Sequence, residues 1–200
     1  MILHRRRFAF SLLLGTVLAV LLSSLSPVLA QYEDVRAATL RLHILANSNS
    51  AADQADKLAV RDAILAAEAG TFRLAETKQD AVVIARQALP AIRHIAEQTL
   101  RARGSDAPVT VELENLYFAT KDYGEFTLPA GRYDAVRVEI GAHQGKNWFC
   151  VMFPPLCVPA AEEADDGPSY TEEENEAVHS PYKVKFAVVE AVERVKEWLS

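Results

Sequence analysis

Between Val109 and Phe153 the chain offers strand-like stretches in succession, with no helical periodicity between them. This constrains the fold more than any other feature. Strands joined by short turns pair as an antiparallel sheet, and helices elsewhere must cover it. In "VTVELENLYF", Val109, Val111 and Leu113 share one face, while Leu116 and Phe118 fall on the opposite parity. That switch predicts a bulge or break near Asn115. "FTLPAGRYDAVRVEIG" reads as a hairpin turning at Pro129-Ala130-Gly131, with Val136, Val138 and Ile140 inward and Arg137 and Glu139 outward. From Trp148 to Phe153 there is no charge and no alternation, as in a central strand covered on both faces. Pro154-Pro155 ends it, since neither residue can donate to a ladder.

Upstream, "ATLRLHILANS" alternates Leu40, Leu42 and Ile44 against Arg41, His43 and Leu45, which predicts a strand running into a polar turn, Asn47 to Ser50. Ser50 with Asp53 starts a helix over about 51–69, closed by Gly70. On its wheel Arg61 falls between apolar sectors, as a snorkelling stem or as a paired or partner-binding guanidinium. Thr77 and Asp80 repeat the capping pattern for a second helix, which runs to about Arg103, is stopped by Gly104 and is kinked or split by Pro90. After the strands, 159–180 reads as an acidic surface loop, and Val188, Val192, Val195 and Leu199 form the stripe of a closing amphipathic helix. The expected fold is α+β: an antiparallel sheet with helices packed on it, in the order strand, helix, helix, strands, helix.

The N-terminus carries Arg5, Arg6 and Arg7 ahead of an apolar run that ends at Val28-Leu29-Ala30. This is the pattern of an export signal over 1–30, with cleavage expected between Ala30 and Gln31; an uncleaved anchor is the alternative. Residues 31–200 are then a single exported domain, large enough to fold without a metal. The formal net charge is −6, and eight of the 27 acids lie between Glu162 and Glu176. The rest of the exported part is nearly neutral, which excludes an electrostatic footprint for nucleic acid.

Two cysteines, Cys150 and Cys157, stand in "NWFCVMFPPLC". Two thiolates cannot make a thiolate-rich zinc site, and their spacing is not that of a Cys-x-x-Cys redox pair. In an oxidising compartment the expected state is a disulfide, worth about 2.5 kcal/mol for so short a loop. Buried free thiols, or a reactive Cys150 with His143 as base, are the alternatives. His43 is the other catalytic candidate, followed by Asn47, Ser48 and Asp53, but no nucleophile-elbow, zinc-helix or phosphate-loop motif accompanies it. Its residue-level reading is a surface or hydrogen-bonded histidine, and Asn47 and Asn49 read as turn residues.

Taken together, "LRLHILANSNSAADQADKLAVRDAIL", "LPAGRYDAVRVEIGAHQGKNWFCVMFPPLC" and "YKVKFAVVEAVE" resemble the stage II sporulation protein R family. Phe149 stands where that family usually has a second Trp. The resemblance implies a signalling protein of endospore formation rather than an enzyme, with no cofactor. It is made in the forespore and exported into the space between the two compartments. Its partner there is a membrane-embedded aspartic protease of the mother cell, stage II sporulation protein GA, which processes the sigma-E precursor. The resemblance brings no catalytic residues. It leaves His43, Asn47, Arg61, Asp62 and Asn147 as candidates for partner contact or local architecture. The competing class is a secreted hydrolase or thiol enzyme using His43 or Cys150.

Overall fold

A computed structural model describes residues 10–16, 19, 30–123, 126–154, 190, 194, 195 and 198. Cys157, the acidic segment 159–180 and nearly all of the expected closing helix lie outside the described residues. A helix over 30–38 (α1) leads into strand β1, Leu40–Leu45. Two long helices follow, α2 (Ala51–Phe72) and α3 (Lys78–Ala102). The strands come next: β2 (Val109–Phe118), the short β3 (Lys121–Asp122) and β4 (Thr127–Leu128), β5 (Gly131–Ile140) and β6 (Asn147–Phe153).

The helix starts are local chemistry. Ser50 caps α2 by accepting from the Asp53 amide. Thr77 and Asp80 form a reciprocal capping box on α3: the Asp80 amide donates to Thr77 Oγ1 and the Thr77 amide to Asp80 Oδ2, 3.0 Å away. Thr77→Ala is expected to lower stability by about 1 kcal/mol, read as a shift in the urea midpoint. The helix ends depart from expectation. α2 runs two residues past Gly70, because Phe72 and the following Ala75 are buried in the core and hold the last turn down. α3 is not split; it continues through Pro90 to Ala102, and buries Ala81, Ala85, Ala88, Ile92, Ala96 and Leu100 on one stripe. Small side chains on that stripe let α3 approach its neighbours closely.

The α+β class holds, but the sheet is mixed rather than antiparallel. Its order is β2-β5-β1-β6. β1 pairs parallel with β5 (Leu42↔Val136, His43↔Arg137) and antiparallel with β6 (Leu42↔Cys150, His43↔Phe149). The rule for consecutive strands governs β2 onward; β1 is separated from β5 by two helices, a connection long enough for a parallel pair. Among the described residues β6 is an edge strand of the four-stranded sheet, not a central one, although Cys150 to Phe153 are buried on both faces. The expected hairpin about 129–131 does not form either. β4 pairs with β3 in a separate ribbon, and β5 pairs with β2.

One face of the sheet carries Leu40, Leu42, Ile44, Val136, Val138, Ile140, Cys150 and Met152 into the main core with α2 and α3. The opposite face carries a second, smaller cluster of Phe118, Tyr133 and Ala135, with Leu116 and Phe149 against it. This second cluster explains the parity switch in β2. No bulge occurs at Asn115, because β2 and β5 stay in register from Val109↔Ile140 to Phe118↔Gly131. Leu116 and Phe118 are apolar on the off phase because that side of the sheet is also covered.

Candidate functional site

At the end of β1 the loop 46–50 is locked to the β5–β6 turn. Asn47 Oδ1 accepts from the Ala142 amide at 2.8 Å, and its Nδ2 donates to Asp53 Oδ2 at 3.2 Å. Asn49 Oδ1 accepts from the Lys146 amide at 2.8 Å. The Gly145 amide donates to Ala46 O, and the Gln144 amide to Asn47 O. Asp53 also accepts from Ser48 Oγ, and this bond, with those from Ser50 and Asn47, holds its carboxyl below the usual range. Asn47 and Asn49 therefore do more than turn the chain: their side chains stand in for a ladder between two loops far apart in sequence.

Beside this lock, Lys57 is buried, with its ammonium donating to Gln54 Oε1 (2.8 Å) and Lys146 O (3.0 Å). Burial lowers its pKa, and Arg61 and Lys146 lower it further. Arg61 lies over Trp148, its guanidinium carbon 5.1 Å from the ring, and pairs with Asp62 at 2.6 Å. Its side chain is 26% exposed, so of the two sequence readings the paired one applies. Arg61, Asp62 and Trp148 stand on the helix-covered side of the sheet.

The other side holds a different arrangement. Arg41, His43, Asn147 and Phe149 line a pocket of about 330 Å³ with Phe118, Thr120, Lys121 and Arg137. Arg41 is only 1% exposed. Its guanidinium lies 4.0 Å from the centroid of Phe118, 4.9 Å from Tyr133 and 5.7 Å from Phe149. Nη2 donates to Tyr123 Oη at 2.9 Å, while Nε and Nη1 have no partner. No carboxylate pairs with Arg41 among the described residues. Arg137, by contrast, is held by Glu114 (3.0 Å) and Glu139.

His43 corrects its sequence reading. It is neither surface nor hydrogen-bonded: it is buried, stacks on Phe149 at 4.7 Å, and leaves both ring nitrogens without a partner. Burial, then Arg137 and Arg41, push its pKa down to about 4. A base that weak, with no orienting partner, is poorly matched to catalysis near neutrality. Cys150 is fully buried on the opposite side of the sheet, against Leu42 rather than His43 in register, so the two do not form a thiol–imidazole pair. His143 stands exposed on the β5–β6 turn, 3.9 Å from Glu139.

The five contact candidates thus separate. His43 and Asn147 line the pocket, Arg61 and Asp62 stand on the helix side, and Asn47 locks the loops between them. Sequence reasoning missed Arg41. Its signal was present in the off-phase aromatics Phe118, Tyr133 and Phe149, one on each neighbouring strand stretch. Ala30 and Gln31 both fall in the described helix α1, where Tyr32 and Val35 are buried. No helix among the described residues is long and apolar enough to cross a membrane.

The described residues define an α+β domain built around a cation-lined pocket and a locked loop pair. Residues 36–163, more than half of the chain, match the family model of Stage II sporulation protein R, and the chain belongs to that family. It is 38% identical over 118 residues to Stage II sporulation protein R of Bacillus subtilis (strain 168), covering 59% of this chain and 53% of that protein. The match therefore spans about half the length of this relative. No solved structure matches the chain.

Proposed function

We propose that the chain is an exported signal of endospore formation. It is made in the forespore and passes into the space between the two compartments. There it activates the membrane-embedded aspartic protease of the mother cell, stage II sporulation protein GA, which processes the sigma-E precursor. The observation that carries this reading is the family match over 36–163, which includes both the locked loops and the pocket. The arginine-led apolar segment at the N-terminus supports export, with cleavage at Ala30–Gln31. A Cys150–Cys157 disulfide fits that compartment, and no cysteine among the described residues is free.

The action is binding rather than catalysis. A ligand activates by its greater affinity for the partner's active state, and moving a partner from mostly off to mostly on takes about 5.5 kcal/mol of difference. An interface of standard size can supply that. The contact patch in this reading surrounds the loop after β1, with Arg61 and Asp62 at its edge and Asn147 beside it. Its rigidity, supplied by Asn47 and Asn49, limits the ordering cost on binding.

Co-expression with the protease and the sigma precursor in a non-sporulating host tests the reading. Cleavage should require this chain; cleavage that proceeds without it defeats the signal role. In the same assay Arg61→Ala, with export and folding verified, is expected to reduce cleavage about tenfold, as for loss of an anchoring residue. Undiminished cleavage would remove Arg61 from the patch.

A further inference from the structure

We propose that the pocket beside the second cluster, on the sheet face away from α2 and α3, binds a carboxylate carried on an apolar body. Arg41 is the anchor. A guanidinium that is 1% exposed and has no carboxylate partner among the described residues is an uncompensated buried charge. The rings of Phe118, Tyr133 and Phe149 offset part of that cost but satisfy none of its N–H groups. Nε and Nη1 are buried without partners, and Arg41 lines a pocket large enough for a small acid or one side chain.

The surrounding atoms point the same way. Arg137 Nε and Thr120 Oγ1 are buried without partners in the same lining, as are both nitrogens of His43. Lys121 lines the pocket, and no acidic residue does among the described residues. The pocket is therefore lined by unpartnered donors of Arg41, Arg137 and Thr120 and by one N–H of a neutral His43, and the field of its cations favours an anion. Phe118 and Phe149 supply an apolar wall, which favours a carboxylate with a hydrocarbon body over a fully hydrated oxyanion. Two sources share this chemistry: a free organic acid, and a Glu or Asp side chain of a partner segment. The inference concerns what the domain binds and stands apart from the signalling reading, so either can fail alone.

Titration of the full chain, labelled with ¹⁵N-arginine and held in a nonionic detergent, tests it. Benzoate should shift the Arg41 Nε–H resonance saturably, with a Kd of about 1 mM for so small a ligand. Benzamide, the same shape without the charge, should not. Arg41→Lys should weaken benzoate about tenfold and Arg41→Met abolish it. Should both variants fail to fold, Lys121→Ala at the pocket rim should still weaken binding severalfold through the field alone. An acetylated and amidated Ala-Glu-Ala peptide that binds as well as benzoate assigns the site to a partner's side chain; benzoate binding alone assigns it to a free acid. No saturable shift with either probe overturns the proposal. So does inorganic phosphate binding as tightly as benzoate, or benzamide matching it.

Discussion

Gly145→Ala is expected to destabilise the domain by about 3 kcal/mol or more, near the top of the range for one added methyl group. A Cβ at Gly145 would stand 2.7 Å from the Ser48 carbonyl carbon and closer still to its oxygen, with Ala46 Cβ at 2.8 Å on another side. These neighbours are mostly backbone, and they are held. The Gly145 amide donates to Ala46 O, Asn49 holds the Lys146 amide, and Asn47 holds the Ala142 amide. The turn can make room only by giving up the bonds that lock it to the β1–α2 loop. Gly70→Ala is the control. Nothing lies within 4 Å of a Cβ there and the residue is helical, so the same change should stabilise by about 0.5–1 kcal/mol. Urea unfolding of both variants reads the difference in sign. Equal midpoints for Gly145→Ala and the unsubstituted chain would show that the loops are not tightly joined.

The second large effect is on the response to acid. His43 has a folded-state pKa of about 4 against an ordinary 6.5, so between these values the unfolded chain binds a proton that the folded chain does not. Stability therefore rises with pH across that window and is lost as pH falls from 6.5 toward 4. The loss is about 2 kcal/mol, allowing for solvent reaching the ring through the adjoining pocket. His43→Phe should flatten this part of the profile, since a phenyl ring can keep the stack on Phe149 and the edge contact with Phe118. It also removes two buried nitrogens without partners, so at pH 7 the variant should be at least as stable. Unfolding midpoints at several pH values between 4 and 7 decide it. Parallel profiles for the two proteins would mean that His43 is not what makes the domain acid-sensitive.

Both predictions rest on positions whose roles depend on distant residues. The Ser50 and Thr77 caps were legible in the sequence, because each depends on a residue three positions away. So was the inward set Val136, Val138 and Ile140, since alternation along one strand is local. The strand partners were not. Period-two patterning says which residues share a face, not which strand lies alongside, and so it does not reveal that β1 pairs parallel with β5. The off-phase Leu116 and Phe118 look like a break because one strand seen alone does not reveal a second core.

The kind of domain is local information: two capped helices, a sheet from successive apolar strands, and the family that "LRLHILANSNS" and "NWFCVMF" mark. Where the pocket and its buried charge lie depends on packing. Arg41 looked like an ordinary outward residue of an alternating strand, and His43 like a surface histidine. Phe118, Tyr133 and Phe149 come from strand stretches far from both in the chain. Bringing them onto one side of the sheet buries a cation against aromatic faces and lowers the histidine pKa. Desolvation and charge proximity depend on neighbours in space, and those neighbours exist only once β2, β5, β1 and β6 lie side by side.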